Sequence, residues 1–244
     1  NTLIQFPFIG VLAYIVTKMI PGEDAIIAYK PKHLDPAFVR ESPSIALGQA
    51  REEIWRMGEF AIHGLKETQS FLETKHTKHS NNAFQLESAL NDLDRKITDY
   101  LVSISTTSLS DEESSLHNIL VDTVRDIERI GDHFENIVEL VDFQITNKVS
   151  ITDEAMKDLE EMFSLTIETV EGAITSLHAQ DLERAKEVLK KETLIDQMER
   201  KLRRQHILRL NEGSCSGQAG IVFVDIVSNL ERIGDHAVNI AEAV

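Results

Sequence analysis

The sequence contains no proline after Pro43, although the first 43 residues contain all five of its prolines. Proline removes a backbone donor and clashes with the preceding turn, so its absence leaves long helices unbroken. Residues 44–244 are also rich in Glu, Leu, Lys and Ile, and aromatic residues make up only 6% of the chain. This composition indicates helices and predicts an all-α protein.

Cysteine and net positive charge are also scarce. A single cysteine, Cys215, cannot form an intrachain disulfide, which excludes a disulfide-stapled secreted scaffold and fits a reducing compartment. Lys and Arg number 25 against 41 Asp and Glu, for a formal net charge of −16. Because nucleic-acid binding needs a basic face, we expect no nucleic acid among the partners.

The first 21 residues differ in character from the rest. Residues 3–20 read LIQFPFIGVLAYIVTKMI, a mostly apolar run of about the minimum length for a membrane span. A secretory signal would have a basic start and a small-residue cleavage site, and neither is present. We predict that residues 1–21 are the end of a transmembrane helix, with a buried helix of a soluble domain as the alternative. Residues 22–43, punctuated by prolines, are predicted to be a linker.

An internal repeat organises the remainder of the chain. IERIGDHFENI at residues 127–137 returns as LERIGDHAVNI at residues 230–240. Start and stop signals predict helices at about 44–74, 83–105 and 116–146, and again at 152–178, 181–210 and from 220 onward. We therefore expect two tandem three-helix bundles, residues 44–147 and 148–244.

The repeated helix combines an apolar face with an acidic one. Glu128 and Asp132 lie four residues apart, as do Glu231 and Asp235, and like charges at this spacing repel each other. Two interpretations stay open: neighbouring arginines form structural salt bridges, or a multivalent cation takes several carboxylate oxygens. His133 and its counterpart His236 are interpreted as polar-face or bundle-contact side chains.

The fifth predicted helix supports the metal interpretation. Glu192 and Asp196 repeat the spacing of four, whereas the first unit has Glu87 followed by Asn91. The first site would thus have one negative ligand fewer, and we expect unequal affinities. The candidate metal ligands are Glu87, Asp122, Glu128, Asp132, Glu192, Asp196, Asp225, Glu231 and Asp235.

Two other classes of function compete with this interpretation. Ferritin-like di-iron enzymes use Glu-x-x-His motifs, and Glu73 to His76 has that spacing, but beside a predicted loop rather than on the repeated helix. The glycine-rich stretch at residues 211–220 lacks the lysine of a phosphate-binding P-loop. We predict no enzyme, no catalytic residues and no organic cofactor. A purely structural module, with the repeat serving contact between copies or with a partner, is the third interpretation.

The twin helices, DTVRDIERIGDHFENIVEL and DIVSNLERIGDHAVNIAEA, resemble the signature helices of the PhoU family of phosphate-uptake regulators. The resemblance covers residues 44–244 and implies two three-helix bundles. It also implies iron or other divalent or trivalent metal ions at the acidic motif formed by Glu128 with Asp132 and by Glu231 with Asp235. Asn91 and Asn229 depart from the family pattern, since acidic residues are expected there.

The amino-terminal run is similar to the last membrane segment of bacterial Na/Pi cotransporter II-related proteins, which carry a PhoU-like domain after their membrane helices. This resemblance implies a cytoplasmic regulatory domain of a sodium-dependent phosphate transporter in the inner membrane. Its partner would be the transporter portion of the same chain, which handles phosphate and sodium, and a homodimer is allowed. The alternative is a free-standing phosphate-transport regulator of the PhoU type.

Overall fold

The structure, a computed structural model, describes residues 30–244. The described residues contain helices and no strand: α1 Ala37–Glu41, α2 Pro43–Thr74, α3 Thr77–Ser105, α4 Asp111–Thr146, α5 Asp153–Ala179, α6 Leu182–Asn211 and α7 Gly217–Glu242. The all-α prediction is therefore confirmed for this part of the chain. The predicted transmembrane segment at residues 1–21 lies outside the described residues.

Side-chain caps determine where several helices begin. Ser110 accepts a hydrogen bond from the backbone N–H of Glu113, whose carboxylate accepts one from the backbone of Ser110, so α4 opens with a complete capping box. Thr152 caps α5 in the predicted position. The predicted start of α4 at residue 116 is wrong by about one turn, because the acidic first turn after Ser110 has no apolar stripe to mark it.

The predicted loop at residues 75–82 is also wrong. Only Lys75 and His76 separate α2 from α3, because Lys75 takes a left-handed conformation with φ of 58° and reverses the chain at once. Gln180, its counterpart between α5 and α6, has φ of 52°. Neither residue is a glycine, so the usual sequence signal for a left-handed cap is missing.

Each repeat is a bundle of three long helices that pack against one another: α2, α3 and α4 in the first, α5, α6 and α7 in the second. Between the repeats, α4 packs against α7 and α2 against α5. The apolar face predicted for α4 is fully buried, including Val124, Ile127, Ile130 and Phe134. The tandem bundles predicted from the repeat are thus present and share one continuous core.

The segment before α2 is held against that helix by a buried carboxylate. Glu53 has no exposed surface and accepts hydrogen bonds from the backbone N–H groups of Lys32 and His33, at 2.8 and 2.9 Å. Its charge is balanced by an ion pair with Arg56. The described part of the predicted linker is therefore anchored to the first repeat and contains the short helix α1.

Candidate functional site

The second repeat gathers five carboxylates between α6 and α7, here called the second acidic cluster: Glu192, Asp196, Glu199, Glu231 and Asp235. Burial raises the pKa of Glu231, and the charges of Asp235, Glu199 and Asp196 raise it further. The pKa of Glu192 is raised by burial and then by Asp196, Asp235 and Glu231. Such mutual effects require proximity, so the helix register brings the predicted residues of α6 and α7 together.

The first repeat has a counterpart between α3 and α4, the first acidic cluster: Glu87, Asp94, Glu128, Asp132 and Glu135. Burial, followed by the charges of Glu135 and Asp132, raises the pKa of Glu87 to about 7. Asn91 donates a hydrogen bond to the Glu87 carboxylate. Where the second repeat has the carboxylate of Asp196, the first therefore has a neutral donor. Glu135 was missed in the sequence, since the repeat has Val238 at the equivalent position.

Arginines offset part of the negative charge of both clusters. Arg129 Nη1 lies 3.0 Å from Asp132, and its Nε lies 3.6 Å from Glu128. In the second repeat Arg200 Nη1 lies 3.0 Å from Asp196. Within residues 30–244, no group of three or more His, Cys, Asp or Glu side chains is already arranged to hold a metal ion. The salt-bridge interpretation thus describes these side-chain positions, and metal binding stays a prediction.

Two of the predicted ligands lie apart from the clusters. Asp122 and Asp225 are exposed, and neither is among the charges that act on Glu87, Glu192 or Glu231. Asp225 instead lines a cavity of about 550 Å³ together with His133. On the helical wheel Asp122 stands about 120° from Glu128, which explains the separation.

The polar strip beside each cluster forms the contact between the repeats, here called the interrepeat seam: Asp126, His133, Asn136, Asn229, His236 and Asn239. His133 Nδ1 lies 2.9 Å from Asn229 Oδ1, and His236 Nδ1 lies 2.8 Å from Asp126 Oδ1. The two imidazole rings stack with their centroids 5.6 Å apart. Each histidine therefore contacts the other repeat, which confirms its interpretation as a bundle-contact residue.

The seam is symmetric in position but not in charge. Asn136 and Asn239 repeat the contacts of the histidines, on Asn229 at 3.5 Å and on Asp126 at 3.0 Å. His236 thus faces a carboxylate, whereas His133 faces a neutral amide. Burial lowers the pKa of His133, and the charges of His236 and Arg232 lower it further, while the hydrogen bond that His133 donates to Asn229 Oδ1 acts in the opposite direction. The alignment of Asp126 with Asn229 was visible in the sequence, but only the packing shows which histidine each one meets.

Tandem three-helix bundles joined through duplicated acidic helices define the class of protein as a PhoU-like helical fold. The PhoU domain family matches residues 54–141 and 159–244, so the chain belongs to this family. A crystal structure of PhoU from Pseudomonas aeruginosa has a TM-score of 0.76 at 20% identity, covering 81% of this chain and 94% of that one. A PhoU structure from Streptococcus pneumoniae has a TM-score of 0.73 at 18% identity, covering 83% and 94%.

Proteins similar in sequence are also named as PhoU homologues. The phosphate-specific transport system accessory protein PhoU homolog 1 of Thermotoga maritima is 29% identical over 201 residues, covering 82% of this chain and 78% of its own length. A PhoU homolog of Xylella fastidiosa with the same accessory title is 27% identical over 200 residues, covering 79% and 80%. The names describe accessory proteins, in agreement with the prediction that the chain is not an enzyme.

The interpretation as the regulatory domain of a sodium-dependent phosphate transporter is wrong. The relatives that match most of the chain are named as accessory proteins of a phosphate-specific transport system, not as sodium cotransporters. Within residues 30–244, no helix combines the length and apolar character needed to cross a membrane. The predicted inner-membrane location and sodium handling depended on the transporter interpretation and lose their basis with it.

Proposed function

We propose that this protein is a PhoU-type regulator of a phosphate transport system, and that metal ions bound to its two acidic clusters set its regulatory state. The regulatory role is supported by membership in the PhoU family and by the names of the relatives. The metal role is supported chiefly by the second acidic cluster, in which two helices place five carboxylates within electrostatic reach of one another. These carboxylates are only partly buried, and Arg200 and Arg203 pair with two of them. Holding the remaining like charges close together is unfavourable, and a bound cation would offset that repulsion.

The donor set fits iron or another multivalent cation. Carboxylate oxygens are hard ligands, which such ions prefer, and they would come from Glu192, Asp196, Glu231 and Asp235 in the second repeat. Glu87, Glu128 and Asp132 would serve in the first, where Asn91 contributes an amide instead of a charge. When bound, the ion would supply positive charge and join the two helices of each cluster.

The carboxylates of the second acidic cluster make the contact between α6 and α7 sensitive to the charge of a bound ion. Burial raises the pKa of both Glu231 and Asp235, and repulsion from Asp196 across the α6–α7 contact raises it further. The second acidic cluster adjoins the interrepeat seam, because Asp235 of the cluster and His236 of the seam are consecutive residues. A ligand shifts a conformational equilibrium only by its differential affinity, and a contact that depends on the cluster's charge provides such a difference.

The test is metal content by plasma mass spectrometry on the full chain, purified without affinity metals. Wild type is compared with Glu231→Gln/Asp235→Asn in the second cluster and Glu128→Gln/Asp132→Asn in the first. We expect bound iron, manganese or zinc in wild type, with the larger loss in the second-cluster variant. Circular dichroism checks that both variants remain helical.

An assay of phosphate uptake tests the proposed regulatory role. In cells that lack the protein, wild type should restore regulated uptake of labelled phosphate and the second-cluster variant should not. Metal-free wild-type protein that still regulates uptake would remove metal from the proposal. Uptake that is indifferent to the protein itself would overturn the regulatory role.

A further inference from the structure

Within residues 30–244, no other helix covers a long surface of α6. Among the described helices, α6 packs only against α5 and α7. Six of its large hydrophobic side chains are exposed: Leu182, Leu189, Leu194, Ile207, Leu208 and Leu210. Leu182 is 60% exposed, Ile207 57% and Leu208 54%. Aliphatic groups this exposed, and repeated along one helix, mark an interaction surface rather than scattered surface residues.

Basic side chains share this surface. The exposed cations on it are Lys186, Lys190, Arg200, Lys201 and Arg204. At about 100° per residue, Arg200, Arg204 and Ile207 fall within about 60° of one another. We call this surface, with its aliphatic and basic residues, the outer face of α6.

The outer face carries the opposite sign of charge from the molecule as a whole. Its five basic residues are opposed by three carboxylates, the exposed Glu183 and Glu187 and the half-buried Asp196 that pairs with Arg200, which leaves +2 on a chain of net charge −16. The two exposed carboxylates pair with Lys186 and Lys190, at 2.6 and 2.5 Å. In the described part of the chain, neither Lys201 nor Arg204 has an ion-pair partner. Two unpaired cations therefore stand beside the exposed aliphatic pair Ile207 and Leu208.

The first repeat shows that this face is not required by the fold. Helix α3 occupies the position of α6 in the first bundle, yet Val102 is its only large hydrophobic side chain that is exposed. The rest of its exposed surface is mainly polar, with residues such as Asn81, Ser88 and Asp99. The aliphatic and basic residues of α6 are thus a property of the second repeat alone.

We propose that the outer face of α6 docks an acidic amphipathic helix of a partner protein, and that the regulator meets the transport system here. This inference rests on the proposed function for the identity of the partner, but its chemistry rests on the face itself. The exposed aliphatic and basic side chains run the length of one helix, from Leu182 to Leu210, and such a surface matches the footprint of another helix. Carboxylates on that helix would pair with Lys201 and Arg204 while aliphatic side chains cover Ile207 and Leu208.

The charges favour this occupant over two others. A second copy of α6 would bring one face of net positive charge against another, which opposes pairing. An anionic lipid surface would attract Lys201 and Arg204 but repel Glu183, Glu187 and the strongly acidic remainder of the chain. At the carboxyl-terminal half of α6, an acidic helix would meet the cations Lys201 and Arg204, neither of which has an ion-pair partner among the described residues.

The test uses a synthetic helical peptide with leucines along one face flanked by glutamates, beside a version with lysines in place of the glutamates. Binding to the full chain is measured by fluorescence anisotropy. We expect the glutamate peptide to bind and the lysine peptide not to bind. Lys201→Glu/Arg204→Glu and Ile207→Ser/Leu208→Ser should each weaken binding about tenfold or more, while the matched α3 variant Arg95→Glu/Val102→Ser leaves it unchanged.

Several results would overturn the proposal. Equal binding of both peptides, or binding that ignores the α6 substitutions, would show that the face does not select an acidic helix. Sedimentation that reveals a dimer broken by Ile207→Ser/Leu208→Ser would assign the face to a second copy. Flotation with vesicles of phosphatidylglycerol that depends on Lys201 and Arg204 would assign it to lipid. None of these measurements depends on metal content, so docking and metal regulation fail separately.

Discussion

The two repeats share one scaffold and differ in what they place on it. Both turn through a left-handed cap, at Lys75 and Gln180, and both bury the apolar face of the duplicated helix. The second repeat has the carboxylate of Asp196 and the aliphatic, basic outer face of α6, whereas the first has the amide of Asn91 and a polar α3. Packing constrains the buried positions of both copies, while the polar positions are free to diverge, so the second repeat is the more specialised one.

The largest expected effect concerns a difference inside the core. In the first repeat a Cβ added to Gly64 would lie 2.4 Å from Cζ of Phe134, whose ring is fully buried. The second repeat has Thr169 and Ala237 at the equivalent positions. We expect Gly64→Ala to lower the free energy of unfolding by about 2–3 kcal/mol through overpacking, measured by urea denaturation.

Two further variants sharpen this comparison. Gly48→Ala should be neutral or slightly stabilising, because an added Cβ meets nothing within 4 Å. Adding Phe134→Leu to Gly64→Ala should recover part of the loss by making room. If Gly64→Ala is as stable as Gly48→Ala, the close packing of Phe134 on Gly64 is not what makes the core of the first repeat different from that of the second.

The next effect is the pH dependence of the first cluster. Burial and neighbouring carboxylates raise the pKa of Glu87 from 4.5 to about 7, so the fold favours its protonated form. The contribution of that form to the free energy of unfolding is fully present below pH 4.5 and is lost as the pH rises through about 7. Glu87→Gln should therefore be more stable than wild type by about 1–2 kcal/mol at pH 8 and similar at pH 4. Denaturation at both pH values checks this, with the exposed Glu73→Gln on α2 as control; equal gains at both pH values would contradict it.

Converting the first cluster towards the second should change its affinity for metal. Asn91→Asp supplies the carboxylate that Asp196 provides in the second repeat, and we expect about tenfold tighter binding of Mn²⁺ or Fe²⁺ at the first cluster. Calorimetry in the Glu231→Gln/Asp235→Asn background isolates that site. The reverse change, Asp196→Asn, serves as the matched variant, and an affinity unaltered by either would show that this position does not set the inequality.

The smallest expected effect is at the interrepeat seam. Because the pKa of His133 is lowered in the folded protein, wild type loses stability as the pH falls through the ordinary value of about 6.5. Asn229→Asp gives His133 the partner that His236 has and should raise its pKa, adding about 0.5–1 kcal/mol at pH 6 and little at pH 8. Titration of the histidine resonances by NMR follows the change, and Asp126→Asn is the reciprocal control. No movement of the His133 pKa would mean that burial alone determines it.

Much of the fold followed from local rules, because they act within single helices. The absence of proline after Pro43, the apolar stripes and the cap at Thr152 locate helices through backbone sterics and hydrogen bonds between residues near in sequence. The turn at Lys75 was not predicted, because lysine has no strong preference for the left-handed conformation that this residue adopts. Predicted helix starts were likewise off where the first turn is polar, as at Asp111 and Thr77.

The sequence by itself determined the duplication, the helical class, the buried face of the repeated helix and the carboxylate pairs within each helix, since these depend on spacing along one chain segment. Tertiary structure alone decided that Glu192 and Asp196 face Glu231 and Asp235, that Asp122 and Asp225 stand apart, and that His133 meets Asn229 across the seam. It also decided that six large aliphatic side chains of α6 are not covered by the rest of residues 30–244. These facts depend on the relative rotation of packed helices, which arises from many distant contacts and has no signature in any one segment.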